Sequence, residues 1–216
     1  MLILAFDTAV AACSAAVWRD GAVLARVHET MERGHAEALA PLLAAVMKTA
    51  AIEFDQLDRI AVTVGPGSFT GVRVGLSTAR GLALPLAIPV IGMTTGTVLA
   101  RQAAATGDGT IISLIDSKRG DLYVEVFDHA GIPRNPAVVM PRDEIASWVA
   151  AQTWPRPVTL VGDGASLIAL DGRVAGDCTY PDAAVIAVIA AGLTPQPGGP
   201  LPLYVRPPDV HVPAVT

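Results

Sequence analysis

Apolar and polar positions fall into two kinds of run along this chain. Residues 2–8 form an unbroken apolar run closing on Asp7-Thr8, as a strand buried on both faces does. Two further strand runs, 13–18 and 22–28, flank Asp20-Gly21, a pair that tolerates positive φ and predicts a tight hairpin. A helix is predicted over 34–50, then a strand over 59–64. The loop Gly65-Pro66-Gly67-Ser68-Phe69-Thr70 follows, with a helix over 71–84. Pro85 and Pro89 are expected to end that helix and to flank a short strand at 88–91.

The order then repeats. A connecting helix is predicted at 94–105, and 110–116 is again an apolar strand ending in aspartate. Strands 121–127 and 136–140 turn at Ala130-Gly131; a helix at 142–152, a strand at 158–161 and an apolar helix at 182–192 complete the pattern. Asp7 precedes Gly21 by 14 residues and Asp116 precedes Gly131 by 15, which marks an internal duplication. Two such units predict an α/β fold of two lobes, each a mixed sheet flanked by helices. The expected division is 1–93 for the N-terminal lobe and 94–216 for a smaller C-terminal lobe with a proline-rich tail from Thr194. Asp7 and Asp116 would then stand at matching strand ends and face a central cleft.

Composition narrows the function. Of 216 residues, 52% are hydrophobic but only 5% aromatic, so the core must be built from many small close contacts. The net charge is -5, and Lys48 and Lys118 are the only lysines. With arginines scattered singly, no basic face is predicted to bind nucleic acid directly. Cys13 and Cys178 are too few and too far apart for a disulfide framework or a metal knuckle. The start MLILAFDTA lacks a basic segment, and the apolar runs 81–93 and 183–193 are too short to span a bilayer; a soluble cytoplasmic protein is expected.

Four features carry candidate chemistry. Asp7 with Thr8, and Asp116, form an acid pair that could hold the hydrated metal of a nucleotide. Thr8-Ala9-Val10-Ala11 lacks the glycines that let backbone approach phosphate, so these residues read as turn caps or a vestigial nucleotide cleft. The GPGSFTG loop opens a helix but is followed by Val72-Arg73, without the lysine of a P-loop; a tight connection capped by Ser68 or Thr70 is the simpler reading. His35 has Leu39 where a second helical ligand would stand, so it reads as a hydrogen-bonding residue at a helix start, and no metal site is expected. The two long helices carry few charges: Glu37, Lys48, Arg73 and Arg80. One shows a stripe of Leu39, Leu43 and Val46. The other repeats small residues at Gly71, Gly75, Ala79 and Ala83, with Val72 and Leu76 beside them. Low charge all round predicts burial of more than one face, and these residues, with His35, are the expected surface for a protein partner.

Several segments together resemble the TsaB (YeaZ) family: ILAFDTAVAACSAAVWRDG, RGHAEALAPLL, GPGSFTGVRVGLSTARGLAL, IDSKRGDLYVEVF and LYVRP. The resemblance runs from residue 1 to about 206, and GPGSFTGVR is its most specific element. It implies an actin-like (ASKHA) fold and a part in forming N6-threonylcarbamoyladenosine (t6A37) in tRNA. It implies a non-catalytic subunit without a cofactor of its own. Such a subunit binds the catalytic TsaD through its two long helices, is joined by the ATPase TsaE, meets tRNA only within the complex, and pairs with itself when alone. TsaD-type proteins carry a metal-binding HxxxH where this chain has Gly92-Met93-Thr94-Thr95-Gly96-Thr97-Val98. Ser117-Lys118-Arg119 departs from the family's usual Ala-Arg. The competing readings are a small-molecule kinase or peptidase of the same superfamily, and a self-contained homodimer.

Overall fold

The computed structural model describes residues 1–104, 109–170 and 172–206. Its first sheet is built from β1 (Leu2–Asp7), β2 (Ala12–Arg19), β3 (Ala22–Thr30), β4 (Arg59–Thr63) and β5 (Val90–Met93), in the order β3-β2-β1-β4-β5. The second contains β6 (Thr110–Asp116), β7 (Asp121–Asp128), β8 (Val138–Pro141), β9 (Val158–Val161) and β10 (Arg173–Val174), in the order β10-β9-β6-β7-β8. Read from the other edge, that is the same topology. In each sheet an antiparallel hairpin adds to a central strand whose other neighbour is parallel. Asp20 and Gly21 take φ of 47° and 97°, the left-handed pair that the hairpin between β2 and β3 requires.

Helices α1 (His35–Ala50) and α2 (Phe69–Leu86) cover one face of the first sheet, over a core that includes Leu4, Phe6, Val17, Ile60 and Val62. Helix α3 (Thr95–Ala103) lies on the second sheet, against Ile111, Ile115 and Phe127, and α4 (Arg142–Ala150) covers that sheet's other face. Helix α5 (Ala183–Ala191) returns to the first sheet and packs on Ile3, Ala5, Ala16 and Ala61. It also touches α3, so these two helices lie between the sheets. The chain is thus layered as helices, sheet, helices, sheet, helix.

Two expectations need correction. Helix α2 does not stop before Pro85. That proline lies in its last turn, where a missing N–H removes one bond, and Ala87 in the left-handed region (φ 53°) closes the helix. The strand after it is accordingly Val90–Met93 rather than 88–91. Nor does everything after residue 93 belong with the second lobe. Helix α5 buries its alanine and isoleucine side chains on the first sheet, and Arg59 fixes its end by hydrogen bonds to the carbonyls of Ala190 and Leu193 (2.9 and 3.0 Å). The tail then runs back across the first lobe, where Leu203 N–H donates to Val64 O at 2.8 Å. The final part of the expected tail, 207–216, lies outside the described residues. No helix among the described residues is long and apolar enough to cross a membrane.

Candidate functional site

The two lobes enclose a cleft of about 570 Å³. Its first-lobe wall is the loop after β1 (Ala9–Ala11), the start of α1 with His35 and Glu37, and the start of α2 with Ser68 and Thr70. Its second-lobe wall is Asp116, Ser117, Lys118 and Asp163.

Of the acid pair, only Asp116 reaches this cleft. Asp7 is fully buried at the end of β1, accepting hydrogen bonds from the Thr63 hydroxyl and the Ala9 N–H. Burial pushes its pKa up to about 7, against those hydrogen bonds. Its Oδ2 has no partner among the described residues, which suits a carboxyl that keeps its proton well above the ordinary carboxylate range. Thr8 is also buried, and its hydroxyl donates to Gly71 O at 2.8 Å. The expectation that Asp7 and Thr8 line a nucleotide cleft is therefore corrected. Without a large residue to hold it open, the loop after β1 closes down on the GPG loop.

That closure also occupies the helix start. Ser68 N–H donates to Ala9 O at 2.7 Å, and the Ser68 hydroxyl accepts from Gly71 N–H at 3.3 Å as the α2 cap. A side chain at position 67 would collide with Ala9 O, so glycine is needed there for close approach. His35 is half-buried, with Nε2 2.8 Å from Val10 O; a carbonyl only accepts, so this nitrogen carries the proton. His35 thereby pins α1 to the loop after β1.

Asp116 is engaged on all sides. Partial burial alone would raise its pKa, but hydrogen bonds from Lys118 N–H, the Arg142 guanidinium and the Lys118 ammonium hold it below the usual carboxylate range. Lys118 also faces Asp163, whose carboxyl burial pushes up. These two carboxylates raise the Lys118 pKa despite desolvation. Lys118 takes φ of 62°, in the left-handed region where a side chain is strained. Counting Glu32 and Glu37, four acids face Arg33 and Lys118 in this cleft. The balance opposes a polyphosphate.

The other candidate is the outer surface of α1 and α2, and here the expectation shifts by a helix face. Leu39, Leu43 and Val46 point into the core, as do Gly71, Val72, Gly75, Leu76, Ala79 and Ala83. A Cβ on Gly75 would lie 2.8 Å from Thr8 Oγ1 and 3.2 Å from Val62 Cγ2. The small-residue row therefore lets α2 settle on its own sheet. The opposite surface is what solvent meets: Ala36, Ala40, Ala44 and Ala45 on α1, and Ser77, Gly81 and Leu84 on α2. Leu84 is 83% exposed, and nothing lies within 4 Å of where a Gly81 side chain would stand.

Sequence reasoning missed several participants. Thr63 and Asp163 come from distant strand ends and carry no local signal. Glu125 is buried on β7, 3.3 Å from the Thr94 hydroxyl, and burial raises its pKa to about 7 despite that bond. Glu125 lies on the face of β7 opposite Leu122, Val124 and Val126, and only the neighbouring Tyr123 and Phe127 signal that this second face is buried too.

A family model described as TsaD, tRNA N6-adenosine threonylcarbamoyltransferase, matches residues 23–158. The "tRNA threonylcarbamoyladenosine biosynthesis protein TsaB" of Escherichia coli K12 is 34% identical over 81% of this chain and 80% of its own length. The protein of the same description from Bacillus subtilis is 29% identical over 77% and 73%. Among solved structures, YeaZ from Pseudomonas aeruginosa superposes with a TM-score of 0.79 at 26% identity, covering 94% of this chain and 99% of its own. The ethanolamine utilization protein EutJ of Carboxydothermus hydrogenoformans, at TM-score 0.57 and 12% identity, shares the fold alone.

Proposed function

This chain belongs to the TsaB (YeaZ) family, with its actin-like fold, and from that premise we propose that it serves the formation of threonylcarbamoyladenosine in tRNA as a non-catalytic subunit. Its task is to dock a catalytic TsaD-type paralogue through the outer faces of α1 and α2. Self-pairing in the free chain uses the same surface, and the ATPase TsaE and tRNA engage the assembled complex.

The observation that carries this reading is Gly81. A glycine inside a helix costs roughly 0.5–1 kcal/mol relative to alanine. Most glycines of α2 repay that cost by lying against the sheet, but Gly81 faces open space. It stands beside Ser77 and Leu84 on α2, and α1 likewise exposes small side chains at Ala36, Ala40, Ala44 and Ala45. A surface of small side chains lets a partner's helices approach closely. The non-catalytic reading is supported by positive features of the cleft: Asp7 is sealed beneath Ala9, the Ser68 amide is taken by a carbonyl, and the cleft's charge is acidic.

The test is reconstitution. The purified chain alone should form no threonylcarbamoyladenosine and should restore the reaction when added to the catalytic paralogue and the ATPase. Sustained turnover by the chain alone would overturn the proposal. The kinase reading predicts ATP consumption with a small-molecule acceptor and no need of a partner.

A further inference from the structure

We propose that residues 200–206 are a strap that couples the cleft loop 116–121 of the second lobe to the start of α2 in the first. The strap is fixed to the first lobe at four points. Arg80 donates to Pro200 O at 2.6 Å, Leu203 N–H donates to Val64 O, and the Leu203 side chain packs on the core beneath α2. Arg73 Nε then donates to the Tyr204 hydroxyl at 2.8 Å. The same guanidinium stacks 3.6 Å from the centre of the Phe69 ring, whose centroid is 5.4 Å from that of Tyr204. Phe69, Arg73 and Tyr204 thus form one exposed stack at the start of α2.

Two residues further on, Arg206 forms an ion pair with Asp121 at the start of β7. Both side chains are largely covered, so water screens this pair less than a free surface pair. The other oxygen of Asp121 accepts from the Ser117 hydroxyl, which also bonds Asp121 O at 2.9 Å. One carboxylate therefore holds the strap with one oxygen and the cleft loop with the other. That loop carries Asp116 and Lys118, which line the cleft. A movement of the loop must break the Arg206 pair or pull on the strap, and the strap pulls on Arg73. Coupling of this kind is reciprocal: fixing the start of α2 also restrains the cleft loop. That the stack lies beside a docking surface rests on the function proposed above; the coupling itself does not.

Hydrogen exchange on the free, full-length chain tests this without a partner. In Arg206→Ala, exchange in 116–121 and in 69–74 should both quicken, by roughly three- to tenfold. Arg206→Lys keeps the charge and should restore most of the protection. Tyr204→Phe should quicken 69–74 most and, because the coupling is reciprocal, 116–121 by a smaller factor. The double variant Arg206→Ala/Tyr204→Phe should then exchange at 69–74 no faster than Tyr204→Phe, because one route has been cut twice. Faster exchange confined to 200–206 in Arg206→Ala, or additive effects at 69–74 in the double variant, would overturn the coupling.

Discussion

Gly75 and Glu125 show how single positions constrain this chain. At Gly75 a leucine must displace Thr8, just past the end of β1, and Val62 on β4, both buried. Overpacking of that kind costs at least ~1–3 kcal/mol. We therefore expect Gly75→Leu to lower the thermal midpoint by several degrees, at about 2–4 °C per kcal/mol for a chain of this size. An unchanged midpoint would mean that the residue faces outward. Glu125 and Asp7 predict a pH dependence. Each has a folded pKa of about 7, above the ordinary carboxylate value, so the folded state binds the proton more tightly than the unfolded state. Their contribution to stability is greatest at low pH and is lost as pH rises from the ordinary value through about 7. Glu125→Gln removes the ionisation, so the variant should gain stability over the parent above pH 7, by roughly 2–4 kcal/mol, and lose that advantage near pH 4. Denaturant titration of the pair at pH 5 and pH 8 reads this out; a difference that does not grow with pH would show that Glu125 is not held in its neutral form.

At the scale of elements, most of the secondary structure follows periodicity because most strands and helices bury an apolar pattern; β10, two exposed residues, carries none. The exceptions are informative. Pro85 is a strong stop signal, yet α2 passes it because the last turn forfeits few bonds. The small-residue row of α2 was visible in the sequence, but its direction was not. A helix low in charge on every face gives no vector, and Gly71 and Gly75 resemble Gly81 until the sheet beneath them is seen. The outer face makes its own prediction. Gly81→Ala should raise helix stability by about 0.5–1 kcal/mol in the monomer, at concentrations too low for self-pairing, since no contact within the chain opposes the methyl group. Circular dichroism melting checks this; a lower midpoint would reveal a neighbour at that position.

Over the whole molecule, the duplicated order of strands and the two aspartates at matching strand ends were legible, and both sheets share one topology. The path of the C-terminal segment was not. Helix α5 is apolar nearly all round and could have served either sheet; only the assembled fold shows that it lies on the first and touches α3 on the second. Nor could the sequence say that Asp7 would be sealed while Asp116 stays at the cleft, because that depends on how closely Ala9 meets Gly67. We propose that the outer faces of α1 and α2 dock a catalytic paralogue. The most direct measurement is the affinity of that paralogue for the parent chain and for Gly81→Glu, by calorimetry, with the melting point of each measured alongside. A loss of roughly a hundredfold or more is expected in the variant, as a buried unpaired charge would impose, with its free fold intact. Equal affinities for the two proteins would contradict it.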